Sequence, residues 1–154
     1  MSTFPTRILL ATDGSEEAEL AALRAVELAD ATDSELHVVH VGVVPSFLKS
    51  YPGTLGYYDK LYEQIEEVSR ELLRKESWRV KAVGGTVAGA HLRMGEVALE
   101  IVALAEELQA DLIVIGSRGL GGVRRALIGS VSDSVVRHAH CPVLVVRPEK
   151  EQAA

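Results

Sequence analysis

Two short glycine-containing segments carry the chemistry this sequence can do. The first is Gly116-Ser117-Arg118-Gly119, followed after nine residues by Gly129-Ser130-Val131-Ser132. A glycine has no Cβ, so a ligand can approach its main chain closely. Gly129 to Ser132 opens a predicted helix. The first N–H groups of a helix lack intrahelical partners and its dipole is positive at that end, and both features favour a phosphate. The Ser130 and Ser132 hydroxyls are donors of suitable reach. A buried strand, a glycine loop and a helix N-terminus in succession read as a nucleotide phosphate site. Ser130 and Asp133 also have capping-box spacing, a purely structural reason for both.

The second segment is Thr12-Asp13-Gly14-Ser15, at the end of the first predicted strand. A carboxylate at Asp13 can hold a ribose hydroxyl or a base amino group; Asp13 or Ser15 can equally cap the helix that follows. Two other phosphate motifs fail on residues. A Walker A loop needs GxxxxGK[ST], and no lysine follows a glycine here. A dinucleotide fingerprint needs GxGxxG after the first strand, where this chain has one glycine. His138-Ala139-His140-Cys141 looks like a metal cluster on paper, but histidines two apart cannot share a helix face, and the dipole favours them at a helix C-terminus anyway. His37 and His40 point to opposite faces of one strand, with core or edge roles. Cys141 reads as a small buried apolar residue. Met94-Gly95-Glu96 either floors the pocket or starts a helix.

The elements that must position these residues alternate regularly. Arg7–Thr12, Leu36–Val41, Val87–Arg93, Asp111–Ile115 and Val143–Val146 read as strands. Between them lie predicted helices over Ser15–Ala31, Tyr57 to about Lys81, Glu96–Gln109 and Val131–Ala139. In the second helix Leu61, Ile65, Val68 and Leu72 recur at helical spacing, and Gly84-Gly85 stops it. Such alternation implies an α/β fold, a parallel sheet with helices on both faces. Ligands then bind beyond the carboxyl ends of the strands, where the strand order switches. The long connection Gly42–Gly56, with all four tyrosines in or just after it, is a lid or a surface loop anchored by tyrosines.

The chain has 154 residues, enough for one domain with a real core; residues 1–154 are expected to form it, the core over about 5–148 and a disordered tail over 149–154. Its 47% hydrophobic and 25% charged residues are ordinary for a soluble globular protein. No apolar run is long enough to cross a bilayer. No signal peptide is visible and Cys141 stands alone, so a cytoplasmic location is expected. A net charge of −6 and 5% aromatics disfavour a nucleic-acid partner. Gly116–Arg147 nevertheless holds five arginines against one aspartate, a local +4 that leaves −10 on the rest. A basic stretch in an acidic protein suits a small anionic ligand, or is simply a solvated face.

The opening ILLATDGS, the block DLIVIGSRGLGG, the spacing G-x2-G-x9-G-S and the closing CPVLVVR together make the chain resemble a universal stress protein over nearly its whole length. With that glycine spacing it resembles the ATP-binding branch. The resemblance implies an open five-stranded parallel sheet of order 3-2-1-4-5, like the adenine-nucleotide alpha-hydrolases, and a homodimer. It implies that Asp13, with Thr12 beside it, and the backbone of Val41 meet the adenosine. Gly116, Gly119, Gly129 and Ser130 would hold ribose and phosphates, with Val131 and Ser132 offering helix N-terminal groups. Arg118, in a position that varies in the family, joins this set.

The function expected is a nucleotide-dependent regulatory module in stress response, working through an unknown downstream protein. The ligand is ATP or another adenine nucleotide, with Mg²⁺ or Mn²⁺ held by its phosphates and by Asp13 through water. The alternative is a slow ATPase or nucleotidyl-transfer enzyme; no general base paired with a nucleophile stands beside the glycine loop, so no catalytic residue is assigned. A receiver-type phosphorylation switch needs a carboxylate cluster after strand one and an aspartate ending strand three, and the chain has neither. Val143–Val146, short and apolar on both faces, is expected to be an edge strand that pairs with its copy in a dimer.

Overall fold

Each apolar run becomes a strand of one parallel sheet in the computed structural model, which describes residues 4–45, 57–117 and 129–148. Along the chain run β1 (Arg7–Ala11), α1 (Glu16–Thr32), β2 (Glu35–Val43), α2 (Tyr57–Ala82), β3 (Gly89–Gly95), α3 (Val97–Leu108), β4 (Leu112–Gly116), α4 (Ser130–His138) and β5 (Val143–Val146). The strand order is β3-β2-β1-β4-β5, as the family resemblance implied. Strand periodicity sorts the side chains into two layers. Ile8, Leu10, Leu36, Val38 and Val114 pack under α1 and α2; Leu9, Ala11, Val39, Val41 and Ile115 pack under α3 and α4. The face of α1 toward the sheet is built of Ala18, Ala21, Ala22, Ala25 and Ala29, and such small side chains let the helix lie close.

Local chemistry sets the ends of these elements. Ser15 caps α1, its hydroxyl accepting from the Ala18 N–H at 3.1 Å. After α2, Gly84 adopts φ +94 and donates to the Lys81 carbonyl, while Gly85 donates to that of Val80. This paired bonding ends the helix where the two glycines predicted a stop.

Several expectations need correction. β2 runs on to Val43 because it pairs with β3 as far as Val43↔Gly95. β3 begins at Gly89 rather than Val87; pairing with β2 starts at His37↔Gly89, and Val87 packs into the core ahead of it. Val68 is 69% exposed and does not belong to the buried seam of α2, which passes instead through Ser69, Leu73, Glu76 and Val80. Helix α4 begins one residue early with Gly129 as its N-cap, so Ser130 and Asp133 do not form the capping box. β5 does lie at the sheet edge, but Val146 is 7% exposed and belongs to the core, leaving Leu144, at 37%, as the strand's exposed apolar residue.

Candidate functional site

A cleft of about 420 Å³ opens at the carboxyl ends of β1, β2 and β4, where the strand order switches. One side is apolar, made by Ala11, Val39, Val41, Val97, Ile101 and Ile115. The polar groups come from four stretches of chain: Thr12, Asp13 and Ser15 after β1; His40 and Gly42 on β2; Ser69 on α2; and Gly129 to Ser132 at the start of α4. Of the residues singled out from sequence, Thr12, Asp13, Val41, Gly116, Gly129, Ser130, Val131 and Ser132 all line this one cleft. Arg118 and Gly119 lie outside the described residues, as do positions 46–56 of the long connection and the tail 149–154.

The turn after β1 is held from three sides. Thr12 N–H donates to the Val39 carbonyl at 3.0 Å, its own carbonyl accepts from His40 Nδ1 at 2.8 Å, and its hydroxyl donates to Glu76 at 3.0 Å. Glu76 is 3% exposed, and its other oxygen meets Arg79 at 3.1 Å. Asp13 accepts from the Ser15 N–H at 2.9 Å, so one carboxylate oxygen shapes the turn. Of the two capping alternatives, Ser15 is the one that caps α1, whereas Asp13 closes the turn before it and also lines the cleft.

The start of α4 is tied back to the end of β4. Gly129 N–H donates to the Ser117 carbonyl at 2.5 Å, and the Ser132 hydroxyl donates to the same carbonyl at 2.7 Å. Ser132 also approaches the Gly129 carbonyl at 3.1 Å and is buried. A hydroxyl has one proton, so Ser132 spends it inside the protein and is not the phosphate donor expected from sequence. The first helical bond is Asp133 N–H to the Gly129 carbonyl at 2.9 Å. The N–H groups of Ser130, Val131 and Ser132 thus precede the helical ladder and border the cleft, with the positive end of the dipole behind them. Ser130, by contrast, is exposed. Gly116 has a structural reason to be glycine: a Cβ there would stand 3.1 Å from the Glu17 backbone, in the first turn of α1.

Two residues of this neighbourhood, Ser69 and Glu76, escape the sequence reading, which gives His40 only a core or edge role. His40 anchors Thr12, and Ser69 and Glu76 project from the buried seam of α2 toward β1 and β2. Their signal is the helical spacing from Ile65 through Ser69 to Glu76 and Val80, which continues the buried face across polar residues.

The other chemical candidates have separate partners. His138 Nδ1 meets the Ser134 carbonyl of its own helix at 2.8 Å, while His140 Nε2 pairs with Glu106 of α3 at 2.6 Å. Burial, and the nearby Asp111 carboxylate, push the Cys141 thiol pKa up, so it is a poor nucleophile. Among the described residues no helix is long and apolar enough to cross a membrane.

Residues 5–147 match the model of the universal stress protein family. A universal stress protein of Methanocaldococcus jannaschii is 37% identical over 153 residues, covering 95% of this chain and 84% of the relative. Among solved structures, hypothetical protein MJ0577 superimposes with a TM-score of 0.80 at 27% identity, over 97% of this chain and 100% of that one. A universal stress protein in complex with cAMP gives 0.65 at 28% identity over 92% and 96%. One from Archaeoglobus fulgidus in complex with dAMP gives 0.63 at 25% identity over 94% and 99%.

Proposed function

This chain belongs to the universal stress protein family, and we propose that its cleft binds an adenine nucleotide, ATP above all. The observation that carries the reading is the juxtaposition inside one cleft of an apolar slot and the N–H groups of α4 that precede its helical ladder. A nucleotide needs both: a slot that takes the base out of water and a positive, donor-rich end for phosphate. The adenine lies between the β-sheet wall at Val39, Val41 and Ile115 and the α3 residues Val97 and Ile101. Val41 offers main-chain groups to the base edge, and Asp13 accepts from the ribose hydroxyls. Phosphates sit on the N–H groups of Ser130, Val131 and Ser132 beside Gly129, with the exposed Ser130 hydroxyl in reach. Arg118 and Gly119 complete the phosphate side, and Gly116 closes it next to α1. The relatives solved with cAMP and dAMP support an adenine ligand.

Mg²⁺ or Mn²⁺ accompanies the phosphates, with Asp13 reaching it through water. The protein acts in the cytoplasm as a nucleotide-dependent binding module for another protein, with hydrolysis slow or absent. It works as a homodimer joined along β5. Mass spectrometry of the protein isolated under native conditions tests the reading. An adenine nucleotide should be released on denaturation. A protein that releases none, and that fails to bind added AMP, cAMP, ADP or ATP, would refute it.

A further inference from the structure

Toward the amino ends of β2 and β3, two histidines of neighbouring strands face one another. His37 on β2 and His91 on β3 place Nδ1 and Nε2, respectively, 3.1 Å apart, with the rings 5.3 Å between centres and 27° from parallel. We propose that this pair is a binding site for a divalent transition-metal ion of the zinc class, with His37 Nδ1 and His91 Nε2 as its protein ligands and water completing the shell. The site is independent of the nucleotide reading.

Three observations support it. The first is spacing. Two imidazole nitrogens on a tetrahedral zinc, each at about 2.0–2.1 Å, stand about 3.3–3.4 Å from each other. The pair is within a few tenths of an ångström of that separation before any metal arrives. The second is the support behind His37. Its other nitrogen, Nε2, lies 3.3 Å from a Glu35 oxygen, and Arg7 Nε holds the same oxygen at 2.8 Å. A carboxylate behind a ligating histidine fixes the ring and its tautomer, and raises its basicity as a ligand. Here it puts the proton on Nε2 and leaves the Nδ1 lone pair toward His91. The third is space. Gly89 is the register partner of His37, and a Cβ on it would stand 2.8 Å from His37 Nδ1 and 2.9 Å from His91 Nε2. Glycine at this position therefore keeps a side chain out of the volume both nitrogens border.

The charges around the pair are paired off. Glu35 and Arg7 stand on the β1 side, and Arg93 is engaged by Glu107 on the α3 side. On binding, His91 moves its proton from Nε2 to Nδ1; His37 keeps the proton that faces Glu35, and no proton need be released. The ion would pin edge strand β3 to β2, and zinc-class ions are favoured by imidazole over Mg²⁺ or Ca²⁺.

Calorimetric titration of Zn²⁺ into the untagged full chain tests this, with a competing chelator to set the free zinc. The wild type should bind one zinc per chain. His37→Ala and His91→Ala should each weaken binding by about tenfold or more, and Glu35→Gln should weaken it while both ligands remain. His140→Ala should leave this affinity unchanged. Ring-nitrogen NMR of the wild type gives an answer that needs no variant: the His37 Nδ1 and His91 Nε2 signals should move on zinc addition. Absence of saturable binding, undisturbed ring signals, or wild-type zinc affinity in either histidine variant would overturn the proposal.

Discussion

Ser132→Ala separates the two tasks that a serine at the start of α4 could have. The Ser132 hydroxyl donates to the Ser117 carbonyl at 2.7 Å in a buried setting, where water cannot replace it. Losing one such bond costs about 1–2 kcal/mol, with the Ser117 carbonyl still partnered by the Gly129 N–H. For a chain of this size each kcal/mol lowers Tm by roughly 2–4 °C, so Ser132→Ala should melt roughly 2–8 °C below wild type without nucleotide. Ser130 is the control. Its exposed hydroxyl has no protein partner among the described residues, so Ser130→Ala should keep the ligand-free Tm, within about 0.5 kcal/mol in stability. It should weaken nucleotide binding instead, since the proposed phosphate contacts include its hydroxyl. Differential scanning calorimetry of both variants, with and without ATP, reads all four quantities. An unchanged ligand-free Tm in Ser132→Ala would refute the assignment of that hydroxyl to the tie between β4 and α4.

Asp111 accepts from the Thr6 N–H, the Thr6 hydroxyl and the Arg7 N–H at 2.9–3.1 Å, tethering the start of β1. Burial alone would raise its pKa, but those hydrogen bonds outweigh it and hold the carboxyl below its ordinary value of 3.8. Its stabilisation is therefore fully present above that pH and lost as pH falls toward the lowered folded value. Asp111→Asn should cost about 1–3 kcal/mol in neutral urea titrations and flatten the acid limb of stability against pH; an unaltered acid limb would contradict this. Single-turnover assays with excess protein should show ATP hydrolysis far below about 1 s⁻¹, and faster turnover would make the protein an enzyme. Leu144→Lys should produce monomers in sedimentation, because Leu144 is the exposed apolar residue of β5, whereas Val146 must stay apolar as part of the core. A persistent dimer would place the interface elsewhere.

Most of the fold was readable because hydrophobic periodicity reports it directly. Leu112–Ile115 is apolar on both faces and becomes a central strand buried on both sides. The alanine-rich stretch after Ser15 becomes the helix that lies closest over β4, at Gly116. The order of the sheet came from the family resemblance, since alternation alone leaves several orders open. The unread parts have local causes. Val68 fits an apolar period that the fold passes over in favour of Ser69, because Ser69 and Glu76 face the polar ends of β1 and β2. A polar residue on a buried seam looks like a solvent face until the partner across the gap is known. The capping-box spacing of Ser130 and Asp133 misled for a smaller reason: the chain enters the helix at Gly129, one residue earlier. His40 shows only a strand position in the sequence, and its bond to Thr12 depends on the pairing of β1 with β2.

The central claim is that an adenine nucleotide sits with its phosphates at the start of α4. Gly129→Val tests it directly, because Gly129 has φ −72 and ψ 166, an extended conformation that a side chain adopts without backbone strain. The substitution should leave the fold intact while placing a branched side chain beside the phosphate position. Calorimetric titration of ATP into both proteins is the measurement. The wild type should bind saturably, and the variant should bind at least about tenfold more weakly, a loss of about 1.4 kcal/mol. Equal affinity in a folded variant, or no binding by the wild type, would contradict the account.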